Sequence, residues 1–255
     1  MIRILLHGCC GRMGRIISGI AAEDPSVEVI AGIDAFGTSS GDYPVYAALS
    51  ELPAETVRDA DVLIDFSTAA AMDDLFAFLA ENKVPAVICT TGLSDAQMQA
   101  LRGLSEVTAV LKSANMSLGI NLLEILLKEA ASKLASAGFD IEIIEKHHNQ
   151  KIDAPSGTAI ALADAVNAGL EEPYEYVYDR SGRREKRPKA EIGISAVRGG
   201  SIVGDHDVLF AGQDEVITFS HRVYSRAVFG KGAVEAAKFL AGKAPGYYDM
   251  QDVLR

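Results

Sequence analysis

The chain has 255 residues, of which 49% are hydrophobic, so it is long enough for one large domain or two modest ones. Its 24 lysine and arginine residues against 35 aspartate and glutamate residues give a formal charge of −11, which disfavours binding to nucleic acid or to an anionic membrane. No apolar run approaches the roughly 20 residues that span a bilayer, and the first residues carry no apolar leader. We therefore expect a cytoplasmic protein.

The first part of the chain alternates short apolar runs with segments whose apolar residues have helical spacing. Because strands that are buried on both faces are mostly apolar, this alternation predicts a doubly wound parallel sheet covered by helices. The predicted strands are 2–7, 27–34, 61–66, 84–89 and 107–111. The predicted helices between them are 12–22, 69–81 and 95–103.

The pattern changes after residue 113, where a long amphipathic segment leads into β-like runs joined by turns that contain glycine. This arrangement predicts an α+β region with a mixed sheet. The predicted helices here are 118–137, 156–167 and 227–240. The predicted strands are 139–145, 192–197, 207–211 and 215–223.

A glycine turn, GCCGRMG at 8–14, lies between the first predicted strand and the first predicted helix. Its spacing is not G-x-G-x-x-G, but Gly8 permits a sharp turn, Gly11 lets the backbone approach a pyrophosphate, and Gly14 permits close packing of helix on strand. The helix start supplies N–H donors, and Arg12 adds a positive charge. A plain strand-to-helix turn is the alternative.

Support for a dinucleotide comes from Asp34, which ends the second predicted strand. A carboxylate about 20 residues beyond such a glycine turn accepts hydrogen bonds from the ribose hydroxyls of an adenosine. Ala35 and Phe36 follow, so no adjacent arginine is available for a 2′-phosphate. The sequence therefore predicts NADH as the preferred cofactor, with NADPH as an alternative.

Two more loops follow predicted strands, and they read CTT at 89–91 and SANM at 113–116. Open α/β sheets bind ligands at the carboxyl ends of their strands, where such small and polar side chains can contact a nicotinamide ribose or carboxamide. Helix capping by Thr91 or Asn115 is the alternative for each loop taken alone. Three such loops at one sheet edge favour a dinucleotide.

The three cysteines, Cys9, Cys10 and Cys89, do not form a disulfide framework. We expect them at the ends of the first and fourth predicted strands, which are neighbours in the usual order. A soft-metal or redox site is one interpretation, and small residues that fill tight turns are the favoured one. If the thiols lie close together, oxidation is expected to affect cofactor binding.

The segment 145–159, EKHHNQKIDAPSGTA, gathers positive and titratable groups in an acidic chain. His147 and His148 are adjacent, Lys151 follows, and a helix start comes next. These groups suit a substrate that bears carboxylates, and a histidine passes protons near neutral pH. A histidine in a loop is more often structural, but this combination is harder to dismiss. H-E-x-x-H is absent, so we expect no metal site of the zinc-hydrolase kind.

The segment 180–189, RSGRREKRPK, is the one biased stretch, with six basic residues in ten. It raises the possibility of a nucleic-acid-binding tail. No helix-turn-helix or zinc-ligand spacing accompanies it, so a solvated loop between two elements is the favoured interpretation.

The segment 142–159, EIIEKHHNQKIDAPSGTA, resembles the signature E-[IV]-x-E-x-H-x-x-x-K-x-D-x-P-S-G-T-A of the 4-hydroxy-tetrahydrodipicolinate (dihydrodipicolinate) reductase family at every fixed position. GCCGRMGR, T-T-G at 90–92, S-A-N-M-S at 113–117, and S-R with G-A-V at 225–234 match in the same order. Two departures are Cys9, where alanine is common, and Cys89, where a glycine often precedes T-T-G. Neither removes a side chain that the chemistry needs.

This resemblance implies an NAD(P)H-dependent reductase of the diaminopimelate and lysine route, built as a homotetramer joined through the sheets of the second domain. It implies a dinucleotide-binding domain of residues 1–114 and 226–255, onto which the last predicted helix returns. Residues 115–225 would form the substrate-binding and oligomerisation domain. The implied substrate is a small dicarboxylate, with no nucleic-acid or membrane partner.

The resemblance also implies roles for particular residues. His147 would be the general acid/base and Lys151 the proton donor, although which of them delivers the proton stays open. The substrate carboxylates would meet His148, Gly157 and Thr158. The implied cofactor-binding residues are Gly8, Cys9, Cys10, Gly11, Arg12, Met13, Asp34, Cys89, Thr90, Thr91, Ser113, Ala114, Asn115 and Met116.

Two other functions compete with this one. A semialdehyde dehydrogenase of similar architecture would use a cysteine nucleophile in its second domain, and no cysteine follows Cys89. A non-catalytic sensor that binds NADH and nucleic acid is supported only by the segment 180–189, and the net charge opposes it.

Overall fold

The computed structural model describes residues 1–37 and 42–255. In chain order its strands are β1 (Ile2–His7), β2 (Val27–Ile33), β3 (Val45–Tyr46), β4 (Val62–Asp65), β5 (Ala86–Ile88), β6 (Ala109–Leu111), β7 (Asp140–His147), β8 (Glu175–Val177), β9 (Glu191–Arg198), β10 (Gly204–Ala211), β11 (Val216–Val223) and β12 (Gly246–Tyr248). The helices are α1 (Arg12–Glu23), α2 (Ala54–Asp59), α3 (Met72–Asn82), α4 (Asp95–Leu104), α5 (Leu118–Leu134), α6 (Gly157–Asn167), α7 (Ala227–Leu240) and α8 (Met250–Val253).

The described residues divide into two compact units. Unit 1 lies within Met1–Ser117 and Ala227–Arg255, and unit 2 is Leu118–Arg226. No helix in the described part of the chain is both long and apolar enough to cross a membrane.

Unit 1 contains the predicted doubly wound parallel sheet, in the order β12-β6-β5-β4-β1-β2-β3. Every strand pair in it is parallel, and the strands β4, β5 and β6 are buried along their whole length, which explains their apolar sequences. The chain runs from β1 to β2 and β3 on one side of β1, and it then crosses to β4 on the other side. The strand order therefore reverses at β1, where such sheets bind ligands.

The strand order corrects one expectation about the cysteines. Cys9 and Cys10 follow β1, whereas Cys89 follows β5, and β4 lies between those two strands. The first and fourth predicted strands are therefore not neighbours. An alternating pattern of strands and helices predicts a parallel sheet but does not state which strands pair.

Helix α7 has the predicted bounds and belongs to unit 1, although it follows unit 2 in the chain. Gly230 lets it approach α1, since a Cβ there would lie 3.0 Å from side-chain atoms of Ile16 and Ile20. Gly232 lets α7 approach the backbone of Met116, since an added Cβ there would collide with the carbonyl of Met116. The C-terminal segment thus completes the packing of unit 1.

Unit 2 contains the predicted mixed sheet, in the order β11-β10-β7-β9-β8. β10 is antiparallel to both β7 and β11, and β9 is parallel to both β7 and β8. Along β7 every second residue is buried, beginning with Ile141 and Ile143, and these pack in one core with residues of α5 and α6. The same buried row continues with Glu145 and His147, so the strand turns from apolar to polar at its end.

Two predicted boundaries next to this row shift. β7 extends to His147, beyond the predicted end at residue 145, because its ladder with β9 continues to the pair His147–Arg198. The next helix begins at Gly157, with Ser156 as its N-cap, because the Ser156 hydroxyl accepts the N–H of Ala159. His147 therefore lies on a strand, and Ser156 precedes its helix.

The basic segment 180–189 is the predicted loop between two elements, β8 and β9, and most of its residues are exposed, but three of its arginines also pair with carboxylates of the sheet. Arg180 donates two hydrogen bonds to Glu142, at 3.0 and 2.9 Å, and Arg187 donates one to the same carboxylate at 2.9 Å. Arg183 pairs with Glu191, whose side chain is only 4% exposed. These arginines neutralise carboxylates on β7 and β9, so the segment fastens to the sheet of unit 2.

Candidate active site

The glycine turn of unit 1 has the geometry of a phosphate-binding loop. Gly8 has φ +78°, and a Cβ there would lie 2.6 Å from the carbonyl oxygen of Phe66. Gly14 packs so closely that an added Cβ would collide with the carbonyl oxygens of Gly8 and Cys9. Gly11 is the N-cap of α1 and offers no side-chain cap. The first N–H groups of α1 are thus arranged to bind an anion.

Asp34 lies at the end of β2 beside this turn. One carboxylate oxygen accepts the N–H of Cys10 at 2.9 Å, and the other accepts the N–H of Phe36 at 3.0 Å. Asp34 lines a cavity of about 610 Å³ together with Gly8, Cys10, Gly11, Arg15, Phe66 and Ser67, among others. Glycine turn, uncapped helix start and carboxylate face one cavity, and this set fits the adenosine and pyrophosphate of a dinucleotide.

A buried histidine–aspartate pair lies next to this cavity and was not predicted. His7 Nδ1 is 3.0 Å from Asp65 Oδ1, and the Ser67 hydroxyl donates to the same oxygen at 2.6 Å. Burial opposes the charge of Asp65, but contacts with His7, Ser67 and Thr90 hold the pKa of its carboxyl below the usual value. His7 and Asp65 end adjacent strands, β1 and β4, so their proximity depends on strand order.

The loop after β5 holds Cys89, Thr90 and Thr91. The carbonyl of Thr90 accepts a hydrogen bond from Lys112 Nζ at 2.9 Å, and burial lowers the pKa of Lys112. Burial also raises the pKa of the Cys89 thiol well above its ordinary value. Cys89 is therefore a neutral thiol at physiological pH, and Lys112 holds the backbone of this loop at Thr90.

The loop after β6 is fixed by hydrogen bonds within the loop and to α8. Asn115 Oδ1 accepts the N–H of Ser117 at 2.8 Å, which is an Asx turn before α5, because Ser117 precedes the first residue of that helix. Ser113 Oγ accepts the N–H of Met250 at 2.7 Å. The side chain of Met116 is buried, whereas Ala114 is exposed.

The predicted cofactor residues thus fall into two groups. Among the described residues, Gly8, Cys10, Gly11 and Asp34 line the cavity, and Arg12 is exposed on the first turn of α1. The loops 89–91 and 113–116 do not line it and follow strands farther along the sheet. Cys9 is completely buried and does not line the cavity.

In unit 2, His147 is held by a carboxylate that was not predicted as a site residue. Its Nδ1 lies 2.7 Å from Oε2 of Glu145, which has no exposed surface. Burial opposes the charge of Glu145, but Arg198, His147 and the N–H of Ser156 hold its pKa below the usual value. Glu145 is therefore ionised, so Nδ1 of His147 donates the proton of this hydrogen bond and Nε2 is the atom that remains for proton transfer.

Glu145 connects three parts of unit 2, which are β7, β9 and the start of α6. Arg198 donates to both of its oxygens at 2.7 Å, and the N–H of Ser156 donates to Oε1 at 3.0 Å. Arg198 lies opposite His147 in the parallel ladder between β9 and β7. One buried carboxylate thus fixes the histidine and the start of helix α6 together.

His206 extends this network from the other side of β7. It lies opposite Glu145 in the antiparallel ladder, its Nε2 is 2.9 Å from Ser156 Oγ, and its ring meets that of His147 edge-on at 5.2 Å. Burial, reinforced by the charge of His147, lowers the pKa of His206 to about 4. His206 is therefore neutral at pH 7 and supports His147 without competing for protons.

The remaining predicted residues of unit 2 lie around this network. Lys151 is half-buried, and its ammonium pairs with Asp153 at 2.8 Å. His148 is half-buried at the end of β7, and Gly157 and Thr158 form the first turn of α6. The structure therefore gathers all five predicted residues of this group at one end of the sheet of unit 2.

Unit 1 has a cavity that fits part of a dinucleotide, and unit 2 brings together a histidine held by a carboxylate, a lysine and a helix start of the kind that attracts anions. A nicotinamide-dependent oxidoreductase requires both parts, and the chain is of that class. Models of the N- and C-terminal parts of dihydrodipicolinate reductase match residues 2–116 and 119–254.

Relatives that match over the whole chain carry the same family name. The 4-hydroxy-tetrahydrodipicolinate reductase of Caldanaerobacter subterraneus subsp. tengcongensis is 53% identical, covering 100% of this chain and 99% of the relative, and that of Clostridium tetani is 47% identical, covering 100% and 97%. The structure of a dipicolinate-bound dihydrodipicolinate reductase from Paenisporosarcina sp. TG-14 superposes with a TM-score of 0.81 at 26% identity, covering 99% of each chain.

The chain belongs to the dihydrodipicolinate reductase family. It is a reductase that transfers a hydride from a nicotinamide dinucleotide to 4-hydroxy-tetrahydrodipicolinate in diaminopimelate and lysine biosynthesis. The resemblance stated from the segment 142–159 is confirmed.

Proposed function

We propose that the reductase prefers NADH to NADPH and that His147 and Lys151 supply the proton that accompanies hydride transfer. The cofactor, when bound, supplies the hydride. The chain's own residues bind the dinucleotide, orient the substrate carboxylates and move the proton. The observation that carries the catalytic assignment is the buried Glu145, which holds Nδ1 of His147 at 2.7 Å and leaves Nε2 for chemistry.

The cofactor preference rests on Asp34. A carboxylate beside the glycine turn accepts ribose hydroxyls and repels a 2′-phosphate. Arg15 is the one arginine among the described residues that line the cavity, and its Nε donates to the carbonyl of Cys10 at 3.1 Å. Its presence supports NADPH as a weaker alternative.

Paired titrations of NADH and NADPH, followed by nicotinamide fluorescence, test this preference. We expect NADH to bind more tightly. We expect Asp34→Asn to weaken NADH by about tenfold to a hundredfold, since a hydrogen bond to a charged group contributes about 1.5–3 kcal/mol. NADPH should be affected less. Tighter binding of NADPH by the unaltered protein would contradict the proposal.

The proton steps follow from the network in unit 2. Hydride delivery to a conjugated imine leaves electron density on the ring, which a nearby acid must protonate. Nε2 of His147 and Nζ of Lys151 are the two donors, and an ammonium also stabilises the developing negative charge. The choice between the two donors is decided by comparing the pH dependence of kcat in variants that lack each one.

The substrate carboxylates are assigned to His148, Gly157 and Thr158. Gly157 and Thr158 present first-turn N–H groups of α6, while the Ser156 hydroxyl already caps the N–H of Ala159. Anions are stabilised at such a helix start, and a nearby imidazole adds a further donor. This arrangement supports a small dicarboxylate as the substrate.

A direct assay tests the substrate and the cofactor together. The product of the preceding synthase, freshly made, is mixed with the protein and either NADH or NADPH, and the loss of nicotinamide absorbance is followed. We expect faster loss with NADH at equal subsaturating concentrations. Equal or faster loss with NADPH would overturn the preference but not the reductase activity.

We also propose a cytoplasmic homotetramer without a nucleic-acid partner. The negative charge of −11 and the paired arginines of the segment 180–189 support the absence of nucleic-acid binding. Light scattering coupled to gel filtration should give four times the chain mass. A mobility-shift assay at low salt should show no retarded DNA or RNA.

A further inference from the structure

Two consecutive thiols and a carboxylate meet where β1 ends. Cys9 Sγ and Cys10 Sγ are 3.8 Å apart, and both lie within 4.8 Å of a carboxylate oxygen of Asp34. We propose that Cys9, Cys10 and Asp34 form a binding site for a thiophilic divalent cation such as Zn²⁺ or Cd²⁺, and that the cation excludes the dinucleotide.

The separation of the thiols matches the chemistry of such an ion. Zinc–sulfur bonds of about 2.3 Å at tetrahedral angles place two sulfur ligands about 3.8 Å apart. Cys9 Sγ and Cys10 Sγ already have that separation, so both can bind one ion without a change in the backbone of the turn. Thiolates favour soft or borderline cations over Mg²⁺ and Ca²⁺, which defines the class of ligand.

The third ligand is oriented by the backbone. Asp34 accepts the N–H of Cys10 at 2.9 Å and the N–H of Phe36 at 3.0 Å, so its carboxylate cannot turn away from the thiols without losing both bonds. Hydrogen bonds of this kind hold metal ligands in position.

Two glycines make room for the thiols. A Cβ at Gly32 would lie 2.6 Å from Cys9 Sγ, and a Cβ at Gly37 would collide with Cys10 Sγ. The backbone of β2 and of the chain beyond it therefore approaches the sulfur atoms as no other residue type would allow. This cradle keeps both thiols near Asp34.

The site has three protein ligands and one open position. Cys9 is completely buried, whereas Cys10 and Asp34 line the cavity, from which the fourth ligand, a water or chloride, would come. Binding replaces the protons of the two thiols, which are released to solvent, so no electrons are transferred. Such an open site exchanges its ion more readily than a closed four-cysteine site.

Competition with the dinucleotide rests on the proposed function. The ion would occupy the carboxylate that is assigned to the adenosine ribose and would lie over the turn assigned to the pyrophosphate. Bound ion and bound dinucleotide therefore exclude each other. The cation site itself does not depend on that assignment.

Titration of the reduced full-length protein with cadmium chloride tests the site. We expect one ion per chain, an ultraviolet thiolate-to-cadmium charge-transfer band, and displacement of Cd²⁺ by zinc chloride. Cys10→Ser should lower the Cd²⁺ affinity by at least about a hundredfold, since even residues that only orient metal ligands cost up to that much. Cys9→Ala should do the same, and Cys89→Ala, which alters the cysteine outside the cluster, should leave the affinity unchanged.

The outcomes separate the two proposals. An absent band, or equal Cd²⁺ affinity in the wild type and Cys10→Ser, would overturn the cation site. With the site present, NADH at ten times its Kd should raise the apparent Kd of Cd²⁺ about tenfold. An unchanged Kd would overturn the competition. Failure of NADH to bind the metal-free protein would overturn the proposed cofactor site while leaving the cadmium result standing.

Discussion

Two segments of unit 2 carry concentrated positive charge, and they use it differently. In the segment 180–189, three arginines form ion pairs with carboxylates of the sheet. Arg180 and Arg187 both pair with Glu142, and Arg183 pairs with the nearly buried Glu191. In the segment 145–159, the buried carboxylate Glu145 belongs to the segment itself and holds the histidine.

The difference lies in which partner each cation faces. Arginines that already pair with a carboxylate have little positive charge left to attract an anionic ligand. Glu145 instead fixes one ring nitrogen of His147 and leaves the other, while the helix start beside it still attracts anions. The density of basic residues in a sequence therefore says less about function than the ion pairs that these residues make.

The largest expected effect is on the segment 145–159. His147→Gln and Lys151→Ala should each lower kcat by about two to four orders of magnitude, because each removes a proton donor. Cofactor affinity, measured by fluorescence, should change little. Gln150→Ala, an exposed change in the same loop, is the matched control. Wild-type turnover in both variants would remove the functional distinction between the two segments.

The next effect concerns His206, whose ring contacts His147 of the segment 145–159. Its pKa of about 4 lies below the ordinary value of 6.5, so the unfolded chain binds the proton first and folding stability is lost as the pH falls from about 6.5 to 4. The loss attributable to this residue is about 3 kcal/mol. Urea unfolding at pH 7 and pH 4.5 should show a smaller decrease for His206→Gln than for the wild type. An equal decrease would mean that His206 titrates normally.

A third test uses two carboxylates of the same strand. Glu145→Gln should lower kcat by about tenfold to a hundredfold through the lost charged hydrogen bond to His147. Glu142→Gln should reduce stability through its arginines but leave kcat unchanged. Urea unfolding separates the two properties. If both variants affected kcat equally, the two segments would not be functionally distinct.

The smallest expected effect is on the segment 180–189. Arg187→Met should lower the free energy of unfolding by about 1–2 kcal/mol, since it leaves partly buried Glu142 and Asp140 with fewer partners. Arg184→Met, an exposed change in the same segment, should stay within about 0.5 kcal/mol of the wild type. Neither should change kcat. A folded Arg187 variant with impaired turnover would show that this segment contributes to function.

The sequence predicts what is written in local periodicity. The parallel sheet, the mixed sheet and α7 follow from runs long enough to show a period, whereas β3, β8, β12, α2 and α8 were missed because two to six residues show none. The same holds for the loop chemistry, since Gly8 and Asp34 are recognisable from the order of residues alone.

Contacts made by strand pairing were beyond the sequence. Glu145 meets Arg198 and His206 only because β9 and β10 flank β7 in a particular register. His7 and Asp65 likewise meet because β1 pairs with β4. A pattern of single strands carries no information on register, so these partners of the predicted residues could not be named in advance.

The position of α7 has a consequence for synthesis on the ribosome. Unit 1 lacks a helix that packs on α1 until residues 227–240 have emerged, whereas every element of unit 2 emerges before them. Unit 2 can thus fold while unit 1 still exposes the apolar surface that α7 later covers. A chain truncated after residue 226 should therefore depend on chaperones for unit 1 alone.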